Sequence, residues 1–218
     1  MTKMYEYLDS LLEKAKKKIK VEFNHIGAMG FDELNVTGTK KVTQATFERL
    51  LNYNETMYRK AANDAYKKAK EKAVAVGYTE EEKSSLAEDW LFTILFAYNL
   101  VTGYLYDKEA ERKRLRLNEQ ILTAREFNDR QMFDKSLKRT ANLWWTQTQQ
   151  YGVDVVDAVT VQAYEDLGVE RVRWITNIDG RECKVCRERN RVIYDIKKVP
   201  AKPHYNCRCM LEPVDIEE

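Results

Sequence analysis

No cysteine precedes Cys183, no proline precedes Pro200, and the chain holds only two histidines, His25 and His204. Proline lacks a backbone donor and breaks helix interiors, so its absence leaves everything before the last nineteen residues free to be helical. Eight glycines in 218 residues point the same way. An excess of one charge is missing too: 37 basic and 35 acidic residues leave a formal +2, which gives no whole-chain electrostatic case for a nucleic-acid partner. The first residues do not read as a secretion signal and no lipidation motif is found, so neither an oxidising compartment nor a membrane anchor is expected.

One long apolar run stands out, Trp90 to Tyr106. It is slightly short for a membrane span, is interrupted by Thr93, Asn99, Thr102 and Gly103, and is flanked by Glu88, Asp89, Asp107 and Lys108. We read it as a buried helix of a soluble bundle, or a contact between subunits.

Helical periodicity fills most of the rest. From Tyr5 to about Phe23, apolar residues at Leu8, Leu11, Leu12, Ala15 and Ile19 form a stripe backed by a solvated lysine face, Lys14, Lys16, Lys17, Lys18 and Lys20. Gly27, Gly30 and Gly38 mark a connection, in which His25 has no implied role. Val42 to Val76 then reads as one long helix with an alanine-rich contact face, stopped by Gly77. Thr79-Glu-Glu-Glu82 is a capping box for the next helix. The segment Lys108 to Arg116 mixes charges and reads as a salt-bridged surface more than a phosphate-binding one. Asn128 to Tyr164 is a further long helix or broken pair. Its adjacent Trp144 and Trp145 cannot both face one core, so one meets either a neighbouring helix or a partner.

Gly168 closes the helical part. Val169 to Ile178 alternates, with Val172, Trp174 and Thr176 on one side, and predicts a strand; Asp179-Gly180 supplies a turn, and short strands are expected at Arg191–Tyr194 and Cys207–Leu211. The expected fold is thus mainly α: a helical body over residues 1–168, then a small β knuckle over 169–218.

All four cysteines lie in that knuckle, as Cys183-Lys-Val-Cys186 and His204-Tyr-Asn-Cys207-Arg-Cys209. Two thiolates from a tight turn, joined by an imidazole and a thiolate from a second segment, supply the soft tetrahedron that zinc prefers. Five donors compete for four positions: Cys183, Cys186 and His204, with either Cys207 or Cys209, which alternate onto one face of an extended segment. A filled site leaves no open position, so the zinc is read as structural, and metal binding on the order of 10 kcal/mol can replace the core that so small a unit lacks.

Other chemistries fit less well. Disulfides would leave His204 unexplained. A redox Cys-x-x-Cys needs a thioredoxin-like βαβ context that does not precede residue 183. A zinc deaminase requires its histidine before a Pro-Cys-x-x-Cys, the reverse of the order here. A nuclease using His204 would need a free general base, and a zinc-bound imidazole is not one; no paired carboxylates accompany the thiols. We therefore expect no enzyme.

The stretches Val169-Glu-Arg-Val-Arg-Trp-Ile-Thr-Asn-Ile-Asp179, Cys183-x-x-Cys186, Pro200-x-x-Pro203-His204 and Asn206-Cys-Arg-Cys209 resemble the tailed-phage head-morphogenesis family, the Mu-F-like minor head proteins. Asp32-Glu-Leu-Asn-Val, Tyr151-Gly-Val-Asp-Val-Val-Asp157 and Gln162-Ala-Tyr164 extend the resemblance over roughly residues 30 to 213. It implies a minor capsid protein located in the virion head and made in the bacterial host cytoplasm. The implied partners are the portal protein and other capsid proteins, with a role in head assembly and in DNA packaging or ejection. Direct contact with packaged double-stranded DNA is a further possibility; neither a membrane nor a small-molecule substrate is implied. A DNA-binding protein with a structural zinc is the alternative.

Overall fold

The computed structural model describes residues 4–29, 31, 33–79, 104–177 and 182–215. The apolar run from Trp90 lies outside the described residues up to residue 103, as do most of the capping box after Thr79 and the Asp179-Gly180 turn. Among the described residues no helix is long and apolar enough to cross a membrane.

The chain is mainly helical with a small antiparallel sheet at its C-terminal end. Among the described residues four long helices come first: α1 (Glu6–Ala28), α2 (Val36–Ala75), α3 (Tyr104–Glu126) and α4 (Arg130–Asp166). Strand β1 (Arg171–Ile175), a short helix α5 (Lys184–Arg189), β2 (Ile193–Asp195), a 3-10 turn (Ile196–Lys198) and β3 (Met210–Pro213) complete it. Close Cα neighbours gather these elements into two compact units, one made of Leu11–Met57 and Leu95–Gln149, the other of Met1–Ser10, Tyr58–Ile94 and Gln150–Glu218. The expected boundary at residue 168 falls inside the second.

In the first unit, Ile19, Phe23 and Ile26 of α1 share a core with Leu34, with Phe47 and Leu50 of α2, with Leu117 and Ile121 of α3, and with Phe133 and Trp144 of α4. Phe47 meets Phe23 and Trp144 edge-on at ring distances of 6.2 and 5.0 Å, the favoured geometry for aromatic quadrupoles. Trp144 is the buried member of its pair. Trp145 is half-buried against the same core, with the Lys16 ammonium 5.5 Å from its ring. The α2 helix begins at Val36, earlier than the Val42 expected, because the Asn35 side chain caps it by accepting the Gly38 N–H at 2.8 Å. Gly38 thus lies in the first helical turn and not in a connection.

Between α3 and α4 the helices reverse over three residues. Asn128 takes a positive φ of 49°, the Asp129 N–H reaches back to the Ala124 carbonyl at 2.7 Å, and the Asp129 side chain caps α4 through the Met132 N–H at 2.8 Å. The expected start of a helix at Asn128 is therefore the end of one and the turn into the next.

In the second unit the alanine face of α2 is buried as its spacing predicts, with Ala61, Ala62, Ala65, Ala69 and Ala73 at most 2% exposed. Gly77 and Gly168 end α2 and α4 with φ of 95° and 71°, a left-handed conformation that glycine takes without steric cost. The sheet has the order β2-β1-β3, with Val172 opposite both Tyr194 and Pro213, and Trp174 opposite Leu211. Val172, Trp174 and Thr176 are all buried, as the alternation predicts. Two strands differ from expectation. β2 starts at Ile193 because Arg191 turns the chain at φ 67°, and β3 pairs only from Met210 onward, leaving Cys207 to Cys209 outside the sheet. Tyr164 and Tyr78 tie this end to the helices by donating to the Leu211 and Val214 carbonyls at 3.1 and 3.2 Å.

Candidate metal centre

Cys183 does not sit in a simple turn. It is the N-cap of α5, in extended conformation (φ −79°), and its Sγ accepts the Cys186 N–H at 3.4 Å. The Cys-x-x-Cys motif thus opens a helix, but that helix joins antiparallel strands, so the βαβ setting of a redox motif is still lacking. The buried Thr176 hydroxyl donates to the Cys186 carbonyl at 2.6 Å and fixes the helix against the end of β1. The second donor segment follows Pro200 and Pro203. Asn206 reverses it with φ 55°, its N–H donated to the Gln150 side chain of α4.

All five sequence-derived donors converge. Cys183, Cys186 and His204 have ligand atoms within 4.8 Å of one another, as do Cys186, Cys207 and Cys209, so Cys186 belongs to both groups. Cys186 Sγ lies 3.3 Å from His204 Nε2 and 3.7 Å from Cys207 Sγ. Cys186, Cys207 and Cys209 are buried, Cys183 and His204 partly so, and all four cysteines are free thiols. His204 Nδ1 lies 3.0 Å from the Tyr205 carbonyl; a proton donated there leaves the Nε2 lone pair facing the thiols, the tautomer a metal requires. Trp174 packs against the cluster from β1, with the Arg189 guanidinium 5.2 Å from its ring.

The thiols lie close enough to influence one another's protonation. The Cys207 hydrogen bond holds the Cys209 thiol down to about 5, aided by the Asn177 N–H, while the same contact and burial push Cys207 up. Burial raises Cys186 to about 11. Without a counter-ion the thiols can only share protons, since several thiolates so close together repel. A metal ion would let them ionise together, so the residues present fit a soft metal.

Beside this centre lie side chains to which the sequence analysis gave no role at the site, Tyr5, Asp9, Asp157, Lys202 and Arg208. Lys202 Nζ donates to the Cys207 carbonyl at 3.1 Å and to the Tyr5 hydroxyl at 2.7 Å, and pairs with Asp157 at 2.6 Å. The Tyr5 hydroxyl donates to Asp157 and lies 3.1 Å from the Cys209 carbonyl. Arg208 pairs with Asp9 at 2.9 Å and places its guanidinium 5.1 Å from the Tyr5 ring. Burial raises the pKa of Tyr5, and Asp157 raises it further. Only the basic neighbours of the ligand motif, Lys202 and Arg208, could have hinted at such a cluster.

Comparison with family models, with curated proteins and with solved structures returns no match to this chain.

Proposed function

We propose that this chain is a minor capsid protein of a tailed-phage head, a structural component that meets the portal and is held in shape at its C-terminal end by zinc. The observation that carries the reading is the clustering of five soft donors as two triads sharing the buried Cys186, together with the resemblance of the flanking residues to head-morphogenesis proteins. Zinc–thiolate and zinc–imidazole bonds of about 2.3 and 2.0 Å give tetrahedron edges of about 3.8 Å between sulfurs and about 3.5 Å from sulfur to nitrogen. The separations of 3.7 and 3.3 Å at Cys186 suit such a site. Cys183, Cys186 and His204, with Cys207 or Cys209, fill all four positions and leave none for substrate, so the zinc serves shape and the chain acts by what it binds.

A second reading rests on charge. Residues 171–209 carry eleven basic and four acidic side chains, against near balance in the whole chain. Three thiolates around a divalent ion would subtract only one unit. That segment favours a phosphate backbone, and a DNA-binding role predicts affinity that falls steeply with salt.

Metal analysis of protein purified without chelator should give one zinc per chain, and removing the zinc should unfold the knuckle while sparing most helicity. Co-purification with the portal protein of the same phage supports the capsid reading. Salt-sensitive DNA binding without portal capture replaces it by the second, and DNA cleavage lost in a folded, zinc-loaded His204→Ala variant would overturn both.

A further inference from the structure

We infer that Tyr5, together with Lys202 and Asp157, positions the second ligand segment of the metal centre and so couples metal binding to the docking of the first turn of α1. The inference rests on the metal reading of the cysteine–histidine cluster. It adds a role for residues that supply no ligand.

Three successive residues of the ligand segment are each gripped by this group. The Cys207 carbonyl accepts from Lys202 Nζ at 3.1 Å, and the Cys209 carbonyl lies 3.1 Å from the Tyr5 hydroxyl. Between them, Arg208 pairs with Asp9 and lies over the Tyr5 ring. The Lys202 bond to the Cys207 carbonyl, with the Tyr5 hydroxyl set against the Cys209 carbonyl and its ring under Arg208, limits the backbone positions from which Cys207 and Cys209 aim their thiols. Asp157 on α4 anchors the grip by binding both Lys202 Nζ and the Tyr5 hydroxyl.

The cluster is costly as mere packing. Tyr5 is 7% exposed and the Lys202 and Asp157 side chains 22% and 28%, so a charge pair is partly withdrawn from water where apolar side chains would serve stability as well. What apolar side chains could not do is hydrogen-bond the Cys207 carbonyl and hold the Tyr5 hydroxyl beside the Cys209 carbonyl. Outer contacts of this kind orient metal ligands, and their removal typically weakens binding by about 10- to 100-fold. Coupling is reciprocal, so metal binding must in turn hold Tyr5 in place.

The test compares the full chain with Tyr5→Phe and Tyr78→Phe. The second variant removes a tyrosine–carbonyl bond to the same end of the chain, at Val214, away from the ligands. Zinc affinity is measured by competition with a chromophoric chelator, and site geometry by the absorption bands of the cobalt-substituted protein. We expect Tyr5→Phe to keep its helicity, to bind zinc at least about tenfold more weakly and to shift the cobalt bands, with Tyr78→Phe doing none of the last two. Chelating the metal from the unaltered protein should speed amide exchange at residues 5–10. Unchanged affinity and cobalt bands in Tyr5→Phe, or an equal loss in Tyr78→Phe, would overturn the inference while leaving the metal site standing. A chain that binds neither zinc nor cobalt would remove the metal reading and this inference with it.

Discussion

A methyl group added at Gly38 would sit 2.2 Å from the Glu33 carbonyl oxygen, whereas one added at Gly152 would meet the Leu8 Cδ1 at 2.8 Å. The first neighbour is backbone and the second is the tip of a flexible side chain, so the two substitutions should behave differently. Gly38→Ala should destabilise by roughly 1–3 kcal/mol. Gly152→Ala recovers up to about 1 kcal/mol of helix propensity against its packing cost and should lie close to neutral. Urea midpoints of the two variants would check this, and equal losses would contradict it. At this scale the donors were the most legible part of the sequence, because cysteine and histidine are scarce and their spacing is chemical. Tyr5, Asp157 and Lys202 were not, since each is a common residue whose meaning comes from meeting the others across most of the chain. The tryptophan pair lies between these cases: helical geometry shows that Trp144 and Trp145 diverge, but only the packing of Phe47 shows which is inside.

Among the elements, the pairing of α1 with α2 carries a pH signature. Burial pushes the Glu22 carboxyl up, but hydrogen bonds and charge from Arg49 and Lys18 outweigh it and hold the group below its usual range. A carboxyl depressed in the folded state binds its proton more weakly there than in the unfolded chain. Its contribution is therefore complete above the unfolded value of about 4.3 and is lost as the pH falls through the lower folded value. Arg49 is half-exposed, so the contribution is modest, about 1 kcal/mol. Glu22→Gln should be less stable than the unaltered protein at pH 7 by that amount, and the gap should close in acid; a gap independent of pH would count against the pair. Element type was legible wherever periodicity ran long, in α1, α2 and α4. Boundaries were less so, because they depend on single caps: Asn35 moves the start of α2, and Asn128 ends one helix where the apolar pattern suggested another began. β3 shows a different limit. Cys207 to Cys209 alternate in sequence as a strand would, yet alternation does not make a strand without a partner, and pairing with β1 begins only at Met210.

For the whole molecule, the compact units cut across the sequence. Leu8 packs on Gly152, and Tyr5 contacts Asp157 and Lys202, so the first ten residues belong with the last seventy or so. Deleting residues 1–10 should accelerate amide exchange in α4 beyond Gln150 and in β1 and β3, while the core around Phe47 and Trp144 keeps its protection. Uniform loss of protection would show instead that the chain unfolds as one cooperative block. The same interleaving sets an order of events during synthesis. Both stretches of the first unit have been translated by Gln149, before a single ligand exists, and the second unit can close only when the final stretch leaves the ribosome. Residues 1–10 must therefore wait for residues 150–218 to be made before they meet their partners, and the cysteine–histidine cluster can assemble only after Cys209 has been added.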